Sequence, residues 1–175
     1  MILQSDLTVL RSLEERDVPL LARWLLNPQN KQWLQLSEDP MEYCNEASVR
    51  ERFRAMKGNR NIELWRIETK QGQPIGQIEI VDIRELHKRA EMHMCIGETM
   101  LQGKGLGSDA LRRLITHAFE TLKLRRIHCI VDADNGRAIR CYEKAGFERE
   151  GLLRQHRLRH GEPVDMLAMG VVRKA

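Results

Sequence analysis

The sequence predicts an α/β fold, with a mixed, mostly antiparallel sheet of about six to seven strands and helices on both faces. Three observations carry this. Strand-like and helix-like periodicities alternate along the whole chain. The middle runs strand, helix, strand, which requires a right-handed crossover and hence a central parallel pair. On either side lie hairpin patterns, which pair antiparallel.

Taken in order, "LTVLRS" (7–12) alternates like a strand. "DVPLLARWLLNP" reads as a helix, with Asp17 placed to cap it, Pro19 in its first turn, and Asn27-Pro28 ending it. Residues 31–43 carry mixed signals and read as a loop or broken helix. "EASVRERFRAMKGN" is a second helix, with Val49, Phe53 and Met56 on one face and Gly58 as its stop. "IELWRIETKQGQPIGQIEIVDI" is a hairpin turning at residues 70–73. "AEMHMCIG" is another strand, followed by a glycine loop and a helix running to about Lys123. "RRIHCIVDA" is a buried strand, and "NGRAIRCYEKAGF" is a short helix ended by Gly146. The tail reads as two strands joined around residues 160–163.

The 175 residues fit one domain, taken as 1–175. The net charge of +4 is mild, and no run of like charge is long enough for a nucleic-acid arm. The excess still favours an anionic ligand. No segment approaches the roughly 20 apolar residues of a membrane span, and the N-terminus has no leader-like apolar run. Cys44, Cys95, Cys129 and Cys141 form no CxxC pair and read as reduced thiols of an intracellular, cytoplasmic protein. A homo-oligomer is compatible with this composition.

Gly103, Gly105 and Gly107 alternate directly before a helix, where glycine's conformational cost must serve a purpose. The first N–H groups of a helix lack internal partners, and the macrodipole adds partial positive charge there. Bare backbone lets a phosphate reach those amides, and Lys104 adds charge. The spacing fails the Walker A pattern, and Ser108 stands where a Rossmann fingerprint needs its third glycine. The natural reading is a pyrophosphate cradle, with a flexible turn before a helix as the alternative on the glycines alone.

Two stretches add to the glycines. Gln102, Gly105 and Gly107 match Gln/Arg-x-x-Gly-x-Gly/Ala, and Asn135, Ala138, Tyr142, Gly146 and Phe147 match N-x-x-A-x-x-x-Y-x-x-x-G-F. The chain thereby resembles the GNAT acetyltransferases over about residues 7–172. The chain from residue 81 through the tail looks most like bacterial spermidine N-acetyltransferases and their relatives acting on amino sugars and on protein N-termini, the ribosomal-protein N-acetyltransferase-like members among them. "RAIRCYEKAGFE" also resembles a stretch of some aminoglycoside acetyltransferases.

The resemblance implies the GNAT fold and acetyl-CoA as co-substrate. It implies that Gln102, Gly103, Lys104, Gly105, Leu106, Gly107 and Ser108 supply backbone N–H groups to the pyrophosphate. Met94, Cys95 and Ile96 would meet the pantetheine and the thioester oxygen, an oxyanion-type contact. Asn135 would bond the pantetheine arm, and Tyr142 would protonate the leaving sulfur, since a phenol stays protonated at neutral pH. Alone, Tyr142 reads as a ring packed on the sheet, and Asn135 as an N-cap. Transfer is direct, with no cysteine nucleophile.

Candidates for the base are Glu79, Glu91 and Glu38, the last within Glu38-Asp39-Pro40, which resembles an acidic pair of polyamine-acetylating relatives. Each also reads as an ordinary solvated carboxylate, and a water chain is an alternative. His87, His93, His117, His128, His156 and His160 show no zinc spacing, and no metal is expected. "MHMCIGETM" reads as a core strand, and Trp24, Trp33 and Trp65 as core or cleft-wall residues. The expected reaction is acetyl transfer to the amine of a small molecule such as a polyamine or amino sugar. Protein N-termini, aminoglycosides, and a silent acyl-CoA-binding regulator remain as alternatives.

Overall fold

A computed structural model of the chain describes residues 1–34 and 45–174. The elements, in chain order, are β1 (Ile2–Gln4), β2 (Thr8–Ser12), α1 (Val18–Leu26), α2 (Pro28–Lys31), α3 (Glu46–Lys57), β3 (Glu63–Thr69), β4 (Pro74–Arg84) and β5 (Arg89–Ile96). They continue with α4 (Leu106–Glu120), β6 (Arg126–Asp132), α5 (Gly136–Lys144), β7 (Glu148–Arg159) and β8 (Glu162–Val172). The strands form one eight-stranded sheet in the order β1-β2-β3-β4-β5-β6-β8-β7. Among the described residues, only β5 and β6 pair parallel.

The strand count exceeds the expected six to seven. The extra strand, β1, is only three residues long and shows no period of its own; it forms because Leu3 is buried opposite Leu10. The break expected near residue 31 is partly a helical turn, α2, opened by Asn27, whose side chain accepts the Gln29 N–H at 2.9 Å. Asp17 does not cap α1 through its side chain. It accepts the Glu14 N–H at 2.9 Å and pairs with Arg66 of β3 instead. A strong acceptor follows the buried guanidinium, which the local pattern cannot see.

The sheet's period-two alternation splits its side chains between two layers. On one face, Ile67, Ile78, Ile80, Ala90 and Met92 pack with Leu111 and Leu114 of α4 and with Ile139 and Tyr142 of α5. On the other, Leu64 packs against Leu21, Trp24, Leu25, Val49 and Phe53 of α1 and α3. Each fully buried leucine or isoleucine contributes about 1.5–3 kcal/mol of hydrophobic stabilisation. Asp109, buried in the first turn of α4, accepts from Thr8 Oγ1 at 2.7 Å and Leu7 N at 3.2 Å, which fixes that helix's start against β2.

Candidate active site

The site begins with a break in pairing. β5 and β6 are joined only at Arg89–Arg126, Ala90–Ile127 and Glu91–His128. Beyond that they part, β5 staying with β4 through Ile96 and β6 with β8 through Asp132. The parted strands leave one edge of Met92–Ile96 without a strand partner. A cavity of about 470 Å3 occupies the opening, reaching from the glycine loop to α1 and α3.

The loop and the start of α4 form one end. Gly105 is the N-cap of α4 at φ +84°, and Gly103 lies at φ +77°. Both occupy the left-handed region that glycine adopts without steric cost. Gly107 serves a different need. A Cβ there would stand 3.1 Å from Cys141 Sγ and 3.4 Å from Met94 Cε, so its bareness lets α4 lie against α5 and β5. The leading amides of α4 lack helical acceptors and carry the positive end of the macrodipole. Gly103, Gly105, Gly107 and Ser108 line the cavity, whereas Lys104 and Leu106 belong to the loop without lining it.

Gln102 lines the cavity too, but its side chain is a brace. Its Nε2 donates to the Ile96 carbonyl at 2.7 Å and to Asn30 Oδ1 at 3.1 Å. Ser108 Oγ donates to the Gly105 carbonyl at 3.0 Å.

Helix α5 forms the second wall. Asn135 caps it, its Oδ1 accepting the Ala138 N–H at 3.1 Å while the residue borders the cavity. Tyr142 is buried, lines the cavity and stacks at a tilt on Phe147 with 5.9 Å between ring centroids. Burial raises its phenol well above the ordinary value, as do the neighbouring Cys129, Cys141 and Cys95, so it is held as a proton donor. Burial also pushes the thiols of Cys95 and Cys129 up to about 12 and of Cys141 to about 11. None is a thiolate near neutral pH. Arg137, Arg140 and Lys144 also line this wall. Sequence reasoning missed them, although the i, i+3, i+7 spacing of one helix face was there to be read.

The opposite wall carries the carboxylates. Glu79 of β4 stands directly across from His93 of β5, and Glu91 lies two residues before His93 on the same face. His93 Nδ1 is 3.2 Å from Glu79 Oε1, and Nε2 is 3.0 Å from Glu91 Oε1. Burial alone would lower the imidazole, but the two carboxylates outweigh it and raise it to about 9. His93 in turn holds Glu91 below the usual carboxylate value. His93 was set aside in the sequence for want of zinc spacing; its signal was Glu-x-His on a strand, facing an acid across a hairpin.

Trp33, Leu25, Leu34 and Arg52 close this end. Trp33 is cleft wall, with the Arg159 guanidinium 5.0 Å over its ring, while Trp24 and Trp65 are core. Arg157 donates to Asp132 Oδ1 at 2.7 Å and to the Gln32 carbonyl at 3.1 Å, pinning β7 to the chain beside Trp33. Glu38, Asp39 and Pro40 lie outside the described residues. Among the described residues no cluster of His, Cys, Asp or Glu could hold a metal ion, and no helix is long and apolar enough to cross a membrane.

This architecture has known counterparts. The acetyltransferase (GNAT) domain model matches residues 8–148. The chain belongs to the GNAT acetyltransferases. The spermidine N(1)-acetyltransferase of Escherichia coli K12 is 39% identical over 82 residues, which span 47% of this GNAT chain and only 44% of that protein. The uncharacterized N-acetyltransferase YoaA of Bacillus subtilis is 28% identical over 177 aligned positions, covering 98% of this chain and 97% of that one. Spermidine N-acetyltransferase from Vibrio cholerae, solved with CoA and spermine, superimposes with a TM-score of 0.85 at 24% identity, over 94% of this chain and 95% of that one. That likeness is one of fold.

Proposed function

We propose that the chain, acting as a single domain, transfers the acetyl group of acetyl-CoA directly to the primary amine of a small molecule, a polyamine being the leading acceptor. The observation that carries this is the opening between β5 and β6, with a proton-holding Tyr142 on one wall and Glu79 and Glu91 on the other. The cavity suits the co-substrate at three points. Bare, left-handed backbone at Gly103 and Gly105 gives phosphates access to the amides of residues 102–108. Arg137, Arg140 and Lys144 add cationic charge nearby. The edge of Met94, Cys95 and Ile96 that has parted from β6 offers backbone groups to the pantetheine and the thioester oxygen, and Asn135 offers its amide.

On this reading Tyr142 hands its proton to the departing sulfur and recovers one from solvent. Glu79 pairs with the incoming ammonium, and Glu38, outside the described residues, stays a candidate base. Among the described residues the thiols of Cys95, Cys129 and Cys141 are protonated, which supports direct transfer without a cysteine nucleophile. The polyamine preference is supported by the acidic pair on the acceptor wall and by the spermidine-acetylating relative. Buried free thiols support a reducing, cytoplasmic setting. Exposed Leu152 and Leu158 on the edge strand β7 support self-association, which light scattering reads directly.

The deciding experiment is thiol release from acetyl-CoA with spermidine, an amino sugar, an aminoglycoside and an N-terminal peptide as acceptors. Acetylated spermidine is the expected product. Acetyl-CoA binding with no acceptor consumed would leave a silent acyl-CoA-binding protein.

A further inference from the structure

The Glu79–His93–Glu91 cluster contains a titratable group to which the reading above gives no role. We propose that His93 accepts the proton of the acceptor's ammonium, with Glu91 holding its far nitrogen and Glu79 seating the ammonium beside it. This rests on the acetyl-transfer reading and assigns its base.

Geometry comes first. The cross-strand pairing of Glu79 with His93, and the i, i+2 placement of Glu91, bring all three to the face that α1 and α3 cover. Exposure then rises in steps, with side chains 14% accessible at Glu79, 29% at Glu91 and 45% at His93. The imidazole therefore has water on one side and the cavity on the other. Both ring nitrogens face carboxylates, so the imidazolium donates to each; once it has lost the Nδ1 proton and kept Nε2–H on Glu91, the Nδ1 lone pair is left for an ammonium seated at Glu79.

Proton affinity comes second. A carboxylate near its ordinary value of about 4.3 is a poor match for an alkylammonium near 10.4. An imidazole is closer: the two carboxylates hold it at about 9 before acceptor binds, and Glu91 still raises it once an ammonium occupies Glu79, so it is the better-matched general base. The step balances. The ammonium N–H bond breaks and a bond to Nδ1 forms. The freed nitrogen pair attacks the thioester carbon. The tetrahedral adduct collapses with cleavage of the C–S bond; the sulfur takes its proton from Tyr142, the nitrogen's second proton restores the tyrosine through solvent, and the imidazolium releases the first proton to water at its exposed edge.

Before acceptor binds, His93 is imidazolium below about pH 9 and must lose a proton first. An ammonium at Glu79 supplies the charge that the imidazolium supplied, which favours that loss. Among the described residues, the charged and titratable groups near the cluster or lining its end of the cavity are Glu79 on β4, Arg89 and Glu91 on β5, His128 on β6, Arg52 on α3 and Arg137 on α5.

The test is the pH profile of kcat/KM for the best acceptor, in wild type, His93→Gln, His93→Ala and Glu91→Gln, with acetyl-CoA protection against heat as the check on folding. Wild type should rise about tenfold per pH unit toward a limb set by His93. His93→Gln should lose about 10²–10³-fold at neutral pH and converge on wild type only as the amine itself deprotonates. Added imidazole should restore turnover to His93→Ala. Glu91→Gln should move the limb to lower pH, because a partner that raises the imidazole is gone. An active wild type whose limb survives in folded His93→Gln, or stays in place in Glu91→Gln, would overturn the assignment alone. A wild type inert toward every amine would overturn the acetyl-transfer reading and this base with it.

Discussion

Gln102 reaches across the molecule to Asn30, its Nε2 donating to Asn30 Oδ1 at 3.1 Å. Asn30 is itself buried and donates through Nδ2 to the Trp24 carbonyl at 3.1 Å and the Gly97 carbonyl at 3.0 Å. The glycine loop and the acceptor-side helices are thus joined through one amide side chain. Asn30→Ala should leave buried acceptors unpartnered at about 1–3 kcal/mol, lowering Tm by roughly 2–4 °C for each kcal/mol. Gln102→Ala should weaken acetyl-CoA by about 5–10-fold through a loosened loop, since one hydrogen bond nets about 0.5–1.5 kcal/mol. Calorimetry of both variants checks this. Unchanged Tm and affinity would remove the brace.

Acetyl-CoA at about 100 times its dissociation constant should add roughly 2.7 kcal/mol of stability. Gly105→Val should abolish that protection, because φ +84° is strained for any L side chain and the valine would stand over the amides. Gly107→Val should do so differently, by forcing α4 away from Cys141 and Met94, so that packing loss in the free protein adds to the loss of protection. Thermal shift with and without ligand separates the two. Protection retained in Gly105→Val would place the phosphates elsewhere.

Tyr142→Phe keeps the ring on Phe147 and removes only the donor. Single-turnover acetyl transfer should fall about 10²–10⁴-fold, with acetyl-CoA affinity nearly unchanged. Single-turnover rates avoid masking by product release. A folded variant transferring at the wild-type rate across neutral pH would leave Tyr142 as a packing residue.

The elevated thiols give a chemical prediction. At pH 8, alkylation followed by mass mapping should label none of Cys95, Cys129 and Cys141 in the native protein, and all three once it is unfolded. Cys141→Ala should keep kcat within a few-fold. A large loss of turnover there would reopen covalent catalysis.

Much of this fold was legible because its elements are long and periodic. The hairpin turning at residues 70–73, the central crossover and the helix of residues 46–57 all follow from local patterns. What escaped depends on distant partners. Asp17 serves Glu14 and Arg66 rather than α1, and β1 exists only because β2 is there to pair with it. The glycine loop and the helix after Asn135, the walls proposed to hold the co-substrate, were legible through the glycines and the Asn135–Phe147 stretch. The acceptor side was not, since Glu79 and His93 are brought opposite each other only by the β4–β5 register.

The most direct measurement is a single-turnover reaction of enzyme, acetyl-CoA and spermidine, following free thiol and product mass together. The account predicts one acetylated spermidine for each thiol released, with the rate rising as pH climbs toward about 9. Thiol released without an acetylated amine, or acetyl-CoA bound and left intact by every acceptor, would contradict it.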